Sequence, residues 1–258
     1  MSDFHFYYFI PLILIVAVSA CVTPDLPASK GLDVRVEASP DKLFPGGRLL
    51  LLIDVENKDE KTYRNIAIDV FDTGELIGRC QKSAQQMRPQ AIESLECRLS
   101  VPADIVKGQT AWTKVTFDSS LSASLQAEVI SQDEYDLRTK LGTLQRQAKS
   151  YTFSDKNMQL TLDFDEAPPF VPGKKQFVRL KVRNTGNGLV ESIKPGDVSV
   201  QSSIVSCLPK GELFPMGREF PTMVCEVNVP GVNYLSQSLI NIDIKYSYDV
   251  REKIFIPK

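Results

Sequence analysis

The sequence predicts an all-β protein: two tandem β-sandwich domains with a short helical spacer, after an N-terminal signal or anchor segment. Apolar and polar residues alternate along many short stretches, which is the pattern of half-buried strands. Proline and glycine turns separate these stretches. The same short motifs also recur 127 positions apart, Pro45-Gly46 against Pro172-Gly173, so the chain contains two copies of one unit.

The composition is that of a globular protein, with 24% charged and 43% hydrophobic residues. A formal net charge of -2 provides no overall basic surface for nucleic acid. The one histidine, His5, lies in the signal segment, so the mature chain has no imidazole for catalysis or for zinc. We therefore expect neither an enzyme nor a cofactor.

Residues 1–21 predict export and a membrane anchor. The apolar run from Phe9 to Val18 has about the length of a signal-peptide hydrophobic region. It leads into Val18-Ser19-Ala20-Cys21, which resembles the lipobox of prokaryotic lipoproteins and implies cleavage before Cys21 and lipidation of its thiol. Two alternatives stay open. The segment could be retained as a helix, because aromatic residues extend it back to Phe4, or cleaved to leave a free Cys21.

Beyond the signal, residues 22–30 are polar and proline-containing, as expected of a tether. The first sandwich is predicted at 31–130 and the second at 157–258. Strands of the first are expected near 32–38, 48–56, 63–71, 94–101, 110–117 and 121–130. Strands of the second are expected near 158–164, 176–184, 188–193, 198–206, 222–229, 238–248 and 250–256.

Residues 131–156 are predicted to be a helical turn and a linker. The sequence from Ser131 to Glu134 has the form of a capping box, and Gly142 would end the helix. The acidic residues in the first turn of this helix would then interact with the positive end of the helix dipole, so they do not indicate a metal site.

Apart from Cys21, the chain has an even number of cysteines, which suggests disulfides in an exported protein. Four cysteines allow three pairings, and the repeat favours one of them. Pro45 precedes Cys80 by 35 positions, as Pro172 precedes Cys207, and the remaining cysteine of each copy is followed five positions later by proline. The predicted bridges are Cys80–Cys97 and Cys207–Cys225. The alternative, a four-cysteine metal site, lacks any CxxC spacing.

The Pro-Gly start and a Val-x-Asn strand end, Val55-Glu56-Asn57 and Val182-Arg183-Asn184, occur in both copies. With tandem sandwiches behind a secretion signal, they resemble prokaryotic cell-surface immunoglobulin-like modules, and most closely CARDB-type domains. The resemblance implies two Ig-like domains in a prokaryotic, by preference archaeal, surface lipoprotein. It also implies an adhesive, scaffolding or spacer role without catalytic residues.

Two surface features are candidate sites. Phe214 and Met216 are apolar residues in the loop that Cys207–Cys225 would close, so this loop is the candidate binding loop. Asp163 and Asp165 lie on one face of a strand end, where calcium would need several such oxygens, and a solvated strand end is the simpler interpretation. Phe170 is expected to pack at the start of the second domain, as Phe44 would at the first.

These features predict a non-enzymatic protein held on the outside of the cell membrane by an N-terminal lipid or a retained helix. It would present its distal C-terminal domain to a protein partner or a surface polymer, and would bind no nucleic acid and no metal. The alternatives are a structural subunit of a cell-envelope assembly and a hydrolase that uses two carboxylates.

Overall fold

A computed structural model describes residues 31–207 and 211–258 of the chain, so the signal segment, Cys21 and the tether lie outside the described residues. The all-β prediction is confirmed: strands in three sheets make up most of the described residues, with one α-helix among them, α1 (Gln132–Lys140). The first half contains β1 (Leu32–Ser39), β2 (Arg48–Asn57), β3 (Tyr63–Asp72), β4 (Cys80–Met87), β5 (Ile92–Ser100) and β6 (Gln109–Ile130). The second half contains β7 (Ser150–Ser154), β8 (Met158–Phe164), β9 (Gln176–Asn184), a 3-10 helix (Pro195–Asp197), β10 (Val198–Ser202), β11 (Val205–Ser206), β12 (Met223–Val227) and β13 (Leu235–Ile256).

The centre of the molecule is a five-stranded sheet in the order β10-β13-β6-β3-β4, which we name the shared sheet. Strands β6 and β13 have 22 residues each and pair antiparallel over their whole length, from Gln109↔Ile256 to Ile130↔Leu235. Odd-numbered residues of β6 are buried almost throughout, whereas even-numbered residues are mostly exposed or half-buried. The shared sheet therefore has one core face along its full length and one open face.

Two smaller sheets cover the core face. The first cap sheet has the order β1-β2-β5, and the second cap sheet has the order β11-β12-β9-β8-β7. The first covers β3, β4, the early part of β6 and the late part of β13, and the second covers β10, the early part of β13 and the late part of β6. Each copy of the repeat thus contributes half of its last strand to the other sandwich. Ser119 pairs with Tyr246 near the middle of the ladder, so an approximate twofold axis relating the two strands passes close to this pair.

This strand exchange corrects the predicted domain boundaries. The strands predicted at 110–117 and 121–130 are one strand, β6, which passes from the first sandwich into the second, and β13 likewise joins two predicted strands and passes back. Alternation predicts the strands but not the sandwich that each one joins. The predicted linker also contains a strand, β7, and 188–193 forms only isolated bridges. Strand β4 was not predicted, because its sequence, CQKSAQQM, has no apolar alternation.

The cysteine pairing and the helix agree with the sequence prediction. Disulfides join Cys80 to Cys97 and Cys207 to Cys225, and the first ties β4 to β5 across the sandwich. The helix α1 begins after Ser131, whose hydroxyl accepts a hydrogen bond from the Glu134 N–H at 3.3 Å. Two disulfides are typical of proteins outside the reducing cytoplasm. Within the described ranges, no helix is both long and apolar enough to cross a bilayer.

The described chain begins at the waist, the region around Ser119↔Tyr246 where the two sandwiches meet. Gly31 accepts a hydrogen bond from the Lys58 N–H at 3.1 Å and lies beside Tyr63 and Asn157 on the core side of the shared sheet. Gly31 therefore lies beside residues of both halves of the molecule, Tyr63 of the first and Asn157 of the second.

Candidate functional site

Phe214 and Met216, the predicted binding residues, lie on an exposed segment of the second half. Their side chains are 60% and 78% exposed. Leu213 exchanges both backbone hydrogen bonds with Ile193 at 2.9 Å, and the Met216 N–H donates to the Glu219 carbonyl at 2.7 Å. The turn from Met216 to Glu219 contains Gly217, which has a positive φ of 69°. We name residues 211–219 the apolar loop.

The base of the apolar loop is held by the second cap sheet. The Asn184 N–H donates to the Arg218 carbonyl at 2.7 Å, and the buried Phe220 donates its N–H to the Val182 carbonyl at 2.9 Å. The Cys207–Cys225 disulfide closes the segment that contains the loop. Apolar side chains on a backbone ordered in advance bind a partner at a lower entropic cost than those on a flexible loop.

Beside the apolar loop, a trough of about 1060 Å³ crosses the open face of the shared sheet at the waist. One wall is the start of β3 with residues 61–65, and the other contains residues from 189–197 together with Glu212. The floor is made by outward-pointing residues of β6 and β13: Lys114, Thr116, Asp118, Ser120, Lys245, Ser247 and Asp249.

The trough is polar and its charges balance. Its five cations are Lys61, Arg64, Lys114, Lys194 and Lys245, and its five acids are Asp118, Glu191, Asp197, Glu212 and Asp249. Asp249 is only 4% exposed and pairs with Lys114 at 3.5 Å and with Arg251 at 2.7 Å. A surface with balanced charge suits a mixed-charge protein partner better than a polyanion.

On the core side of the waist, polar contacts join the two halves. Asp155, in the turn between β7 and β8, accepts hydrogen bonds from the Lys61 ammonium at 2.8 Å and from the Tyr246 hydroxyl at 2.6 Å. Burial and the neighbouring Asp155 carboxylate raise the pKa of Tyr246, so its hydroxyl stays protonated as a donor.

Asp59 makes a second such contact. It accepts hydrogen bonds from the Tyr63 hydroxyl at 2.8 Å and from the Lys156 ammonium at 3.3 Å, and Lys156 belongs to the other half. Burial alone would raise the pKa of Asp59, but these bonds and that from the Glu60 N–H lower it below its ordinary value. Charged groups therefore hold the sandwiches together beside their shared strands.

The Val-x-Asn motif has the same structural role in both copies. Asn57 and Asn184 are buried at the ends of β2 and β9. Each donates its amide to a carbonyl four residues later, at 2.9 and 2.7 Å, and accepts from an N–H two residues later, at 2.9 and 3.1 Å. These asparagines satisfy the backbone of the turn that follows each strand.

The other predicted carboxylates and aromatics are also structural. Asp163 pairs with Lys181 at 3.2 Å and Asp165 with Arg179 at 2.5 Å, as expected of a solvated strand end. Among the described residues, no group of three or more His, Cys, Asp or Glu could hold a metal ion.

The two aromatics at the domain starts differ. Phe170 is fully buried and packs 5.3 Å from the ring of Phe164. The matching expectation for Phe44 is wrong, because Leu43 occupies the core and leaves Phe44 60% exposed.

The trough was not predicted from the sequence, whereas the apolar loop was. The trough residues come from widely separated stretches, and only the pairing of β6 with β13 brings them together. The sequence feature that could have pointed to the trough is the unbroken alternation on both sides of Ser119, because it indicates a single strand too long for one sandwich.

No protein-family model matches the sequence, and no curated protein matches it. Among solved structures, the chain is similar to a protein of unknown function from Porphyromonas gingivalis W83, with 12% identity and a TM-score of 0.24. That match covers 77% of this chain and 83% of the other. A likeness at this level carries no argument about function, and the CARDB resemblance stays a prediction.

Proposed function

We propose that this chain is a non-enzymatic extracytoplasmic protein, anchored to the cell membrane through Cys21, that binds a protein partner with the apolar loop and the adjoining trough. The observation that carries the proposal is the exposure of Phe214 and Met216 on a backbone held in place beside a charge-balanced trough. An apolar centre with a polar surround is the usual anatomy of a protein interface. The two disulfides support an extracytoplasmic location, and the lipobox supports the anchor.

The position of Gly31 favours the presentation of this surface. A tether of residues 22–30 can span at most about 30 Å, since an extended residue adds about 3.3–3.6 Å. The tether would join the molecule on the core side of the shared sheet, whereas the trough lies on the open face. An anchor at Cys21 would therefore be attached to the face of the shared sheet opposite the trough.

The binding proposal is tested by photo-crosslinking on intact cells. A photo-reactive amino acid replaces Phe214 in one variant and Ile77, which is 65% exposed in the first half, in a control. We expect one discrete crosslinked protein from position 214 and none from position 77. Loss of this adduct in Met216→Ser would confirm the loop as the contact. Equal products at both positions, or none at 214, would contradict the proposal, and a carbohydrate adduct would identify a surface polymer instead.

The anchor has a separate test. Mass spectrometry of the N-terminal peptide from membrane-extracted protein should show Cys21 as the first residue, carrying a mass increase from lipid. An intact Met1 peptide would identify a retained helix, and an unmodified Cys21 at the N-terminus would identify a secreted protein without a lipid anchor.

A second candidate function, a structural subunit of an envelope assembly, is favoured by exposed apolar side chains at both ends of the molecule. Phe44, Val106 and Phe255 lie at the end of the first sandwich, and Leu137 and Leu141 lie at the end of the second. Each of these side chains is more than half exposed. Native mass measurement in mild detergent separates the functions, because a structural subunit would migrate in a large complex that Phe255→Ser disrupts and Phe214→Ser does not.

A further inference from the structure

Strand β6 has an open edge along part of its length. On the side away from β13, the pairing of β3 ends at Asp118. Farther along, the side chain of Gln147 occupies the edge: it accepts from the Glu128 N–H at 3.2 Å and donates to the Gln126 carbonyl at 3.3 Å. Between Asp118 and Gln126, none of the described residues pairs with this edge.

The free groups on this edge belong to three serines. In an antiparallel ladder, alternate residues direct both their N–H and their C=O to the same side. Gln126 and Glu128 direct these groups away from β13, so Ser120, Ser122 and Ser124 do the same. Three successive edge positions therefore offer a donor and an acceptor each.

The second copy of the repeat shows that an outer edge beyond the waist can bond to another backbone segment. Asp249 of β13, like Ser122 of β6, lies just beyond the Ser119↔Tyr246 pair at the waist. It exchanges both of its backbone hydrogen bonds with Leu189, at 2.8 and 2.9 Å. Thr62, the counterpart of Leu189 in the first copy, makes no such bonds to Ser122. The same edge is thus covered in one copy and open in the other.

The open edge also lacks the features that protect strand edges from pairing. Residues 119–125, SSLSASL, contain no proline and no charge, and their pairing with β13 has no bulge. Strand β7, the edge strand of the second cap sheet, packs over this part of β6. Its Tyr151 and Phe153 side chains face the core but are only half-buried. Apolar side chains of an added strand would cover these two rings.

We propose that β6 between Asp118 and Gln126 is a docking edge for an extended segment of a partner protein, about seven residues long, which pairs with the three serines. Its apolar side chains would alternate with polar ones, the apolar set toward Tyr151 and Phe153 and the polar set on the open face. Pairing of β6 with β6 of a second copy does not fit, because that strand would continue past both ends of the gap into space that β3 and Gln147 occupy. The proposal rests on the proposed function in that the chain binds a protein, and it adds the mode of recognition.

The probe for this edge is the peptide fluorescein-Thr-Val-Thr-Val-Thr-Val-Thr-amide, which carries the label on its N-terminus, and binding is measured by fluorescence anisotropy. Ser122→Pro removes the edge-facing N–H of Ser122 without removing a bond to β13. Ser122→Ala is the matched control, because it keeps that N–H and loses only the side-chain bond to Asp243. We expect binding to be at least about tenfold weaker in Ser122→Pro and unchanged in Ser122→Ala.

N-methylated versions of the probe test the edge on the wild-type protein, so this test does not depend on correct folding of the proline variant. The same probe with N-methyl groups on alternate amides cannot donate to an edge, so one of the two N-methylation registers should fail to bind the wild-type protein. Wild-type binding that survives both registers, or equal binding to Ser122→Pro, would overturn the proposal, as would no binding of the unmodified probe. Phe214→Ser should leave probe binding unchanged, so a failure of the proposed apolar-loop function is distinguishable from a failure of the edge.

Discussion

Asn57 and Asn184 show how one residue type can secure equivalent turns in two copies of a repeat. Each buried amide satisfies backbone groups of the turn that follows its strand, and the Asn57 amide also donates to the Met87 carbonyl at 3.1 Å. Replacement by alanine would leave those buried groups without partners. The repeat motif is thus explained by the needs of the backbone and not by a ligand.

We expect Asn57→Ala and Asn184→Ala each to lower the free energy of unfolding by about 1–3 kcal/mol, because buried polar groups lose their hydrogen bonds. Urea denaturation measures the change. Asn228→Ala, at an exposed position with no side-chain hydrogen bond among the described residues, is the control and should change stability little. Equal stability of all three variants would contradict the structural role of the motif.

Asp59 gives a residue-scale prediction about pH. Its pKa is lower in the folded than in the unfolded protein, so the ionised carboxylate stabilises the fold above its ordinary pKa of about 3.9. That contribution is lost as the pH falls through the lowered value. In urea denaturation, the stability difference between wild type and Asp59→Asn should therefore be largest near pH 7 and shrink below about pH 4. Asp104→Asn, at an exposed position, should follow wild type, and a difference that is constant with pH would count against this role of Asp59.

At the scale of elements, the two disulfides have equivalent positions in the repeat but close different segments. Cysteines 17 and 18 positions apart are joined, so the chain-entropy relation assigns each bridge about 3 kcal/mol. Both double cysteine-to-alanine variants should lose stability of that order in urea denaturation. Only the Cys207/Cys225 variant should weaken the crosslink from Phe214, because only that bridge closes the segment with the apolar loop. Equal crosslinking in the two variants would show that the Cys207–Cys225 disulfide does not contribute to binding by the apolar loop.

The elements also show which parts of the structure were accessible from the sequence. Most strands, the cysteine pairs and α1 were predicted, because each follows from local alternation, repeat spacing or a capping pattern. Strand β4 was missed because an edge strand with polar residues on both faces lacks the alternation on which the prediction depends. The apolar loop was found because Phe214 and Met216 are unusual in a loop, whereas the trough depends on the register of β6 and β13, which no local pattern reports.

At the scale of the whole molecule, the strand exchange makes the two sandwiches depend on each other. Residues 245–256 of β13 complete the first sandwich, and the late part of β6 buries Leu121, Ala123 and Leu125 in the second. A fragment limited to residues 31–130 retains one complete copy of the repeat. It nevertheless lacks β13, one of the two strands that pair with β6 in the first sandwich, and the cover for those three side chains.

We therefore expect the fragment 31–130 to show no cooperative unfolding in circular dichroism, although it corresponds to the first domain predicted from the sequence. A synthetic peptide of residues 243–258 should partly restore a cooperative transition, because it supplies the edge of β6 with its native partner in native register. A peptide of the same composition in scrambled order is the control. A cooperative transition in the fragment alone would mean that the first copy folds by itself and that the exchange of β6 and β13 joins two stable domains. If the native peptide restores a cooperative transition and the scrambled peptide does not, the two copies form a single folding unit. The trough at the waist would then exist only when both copies are present.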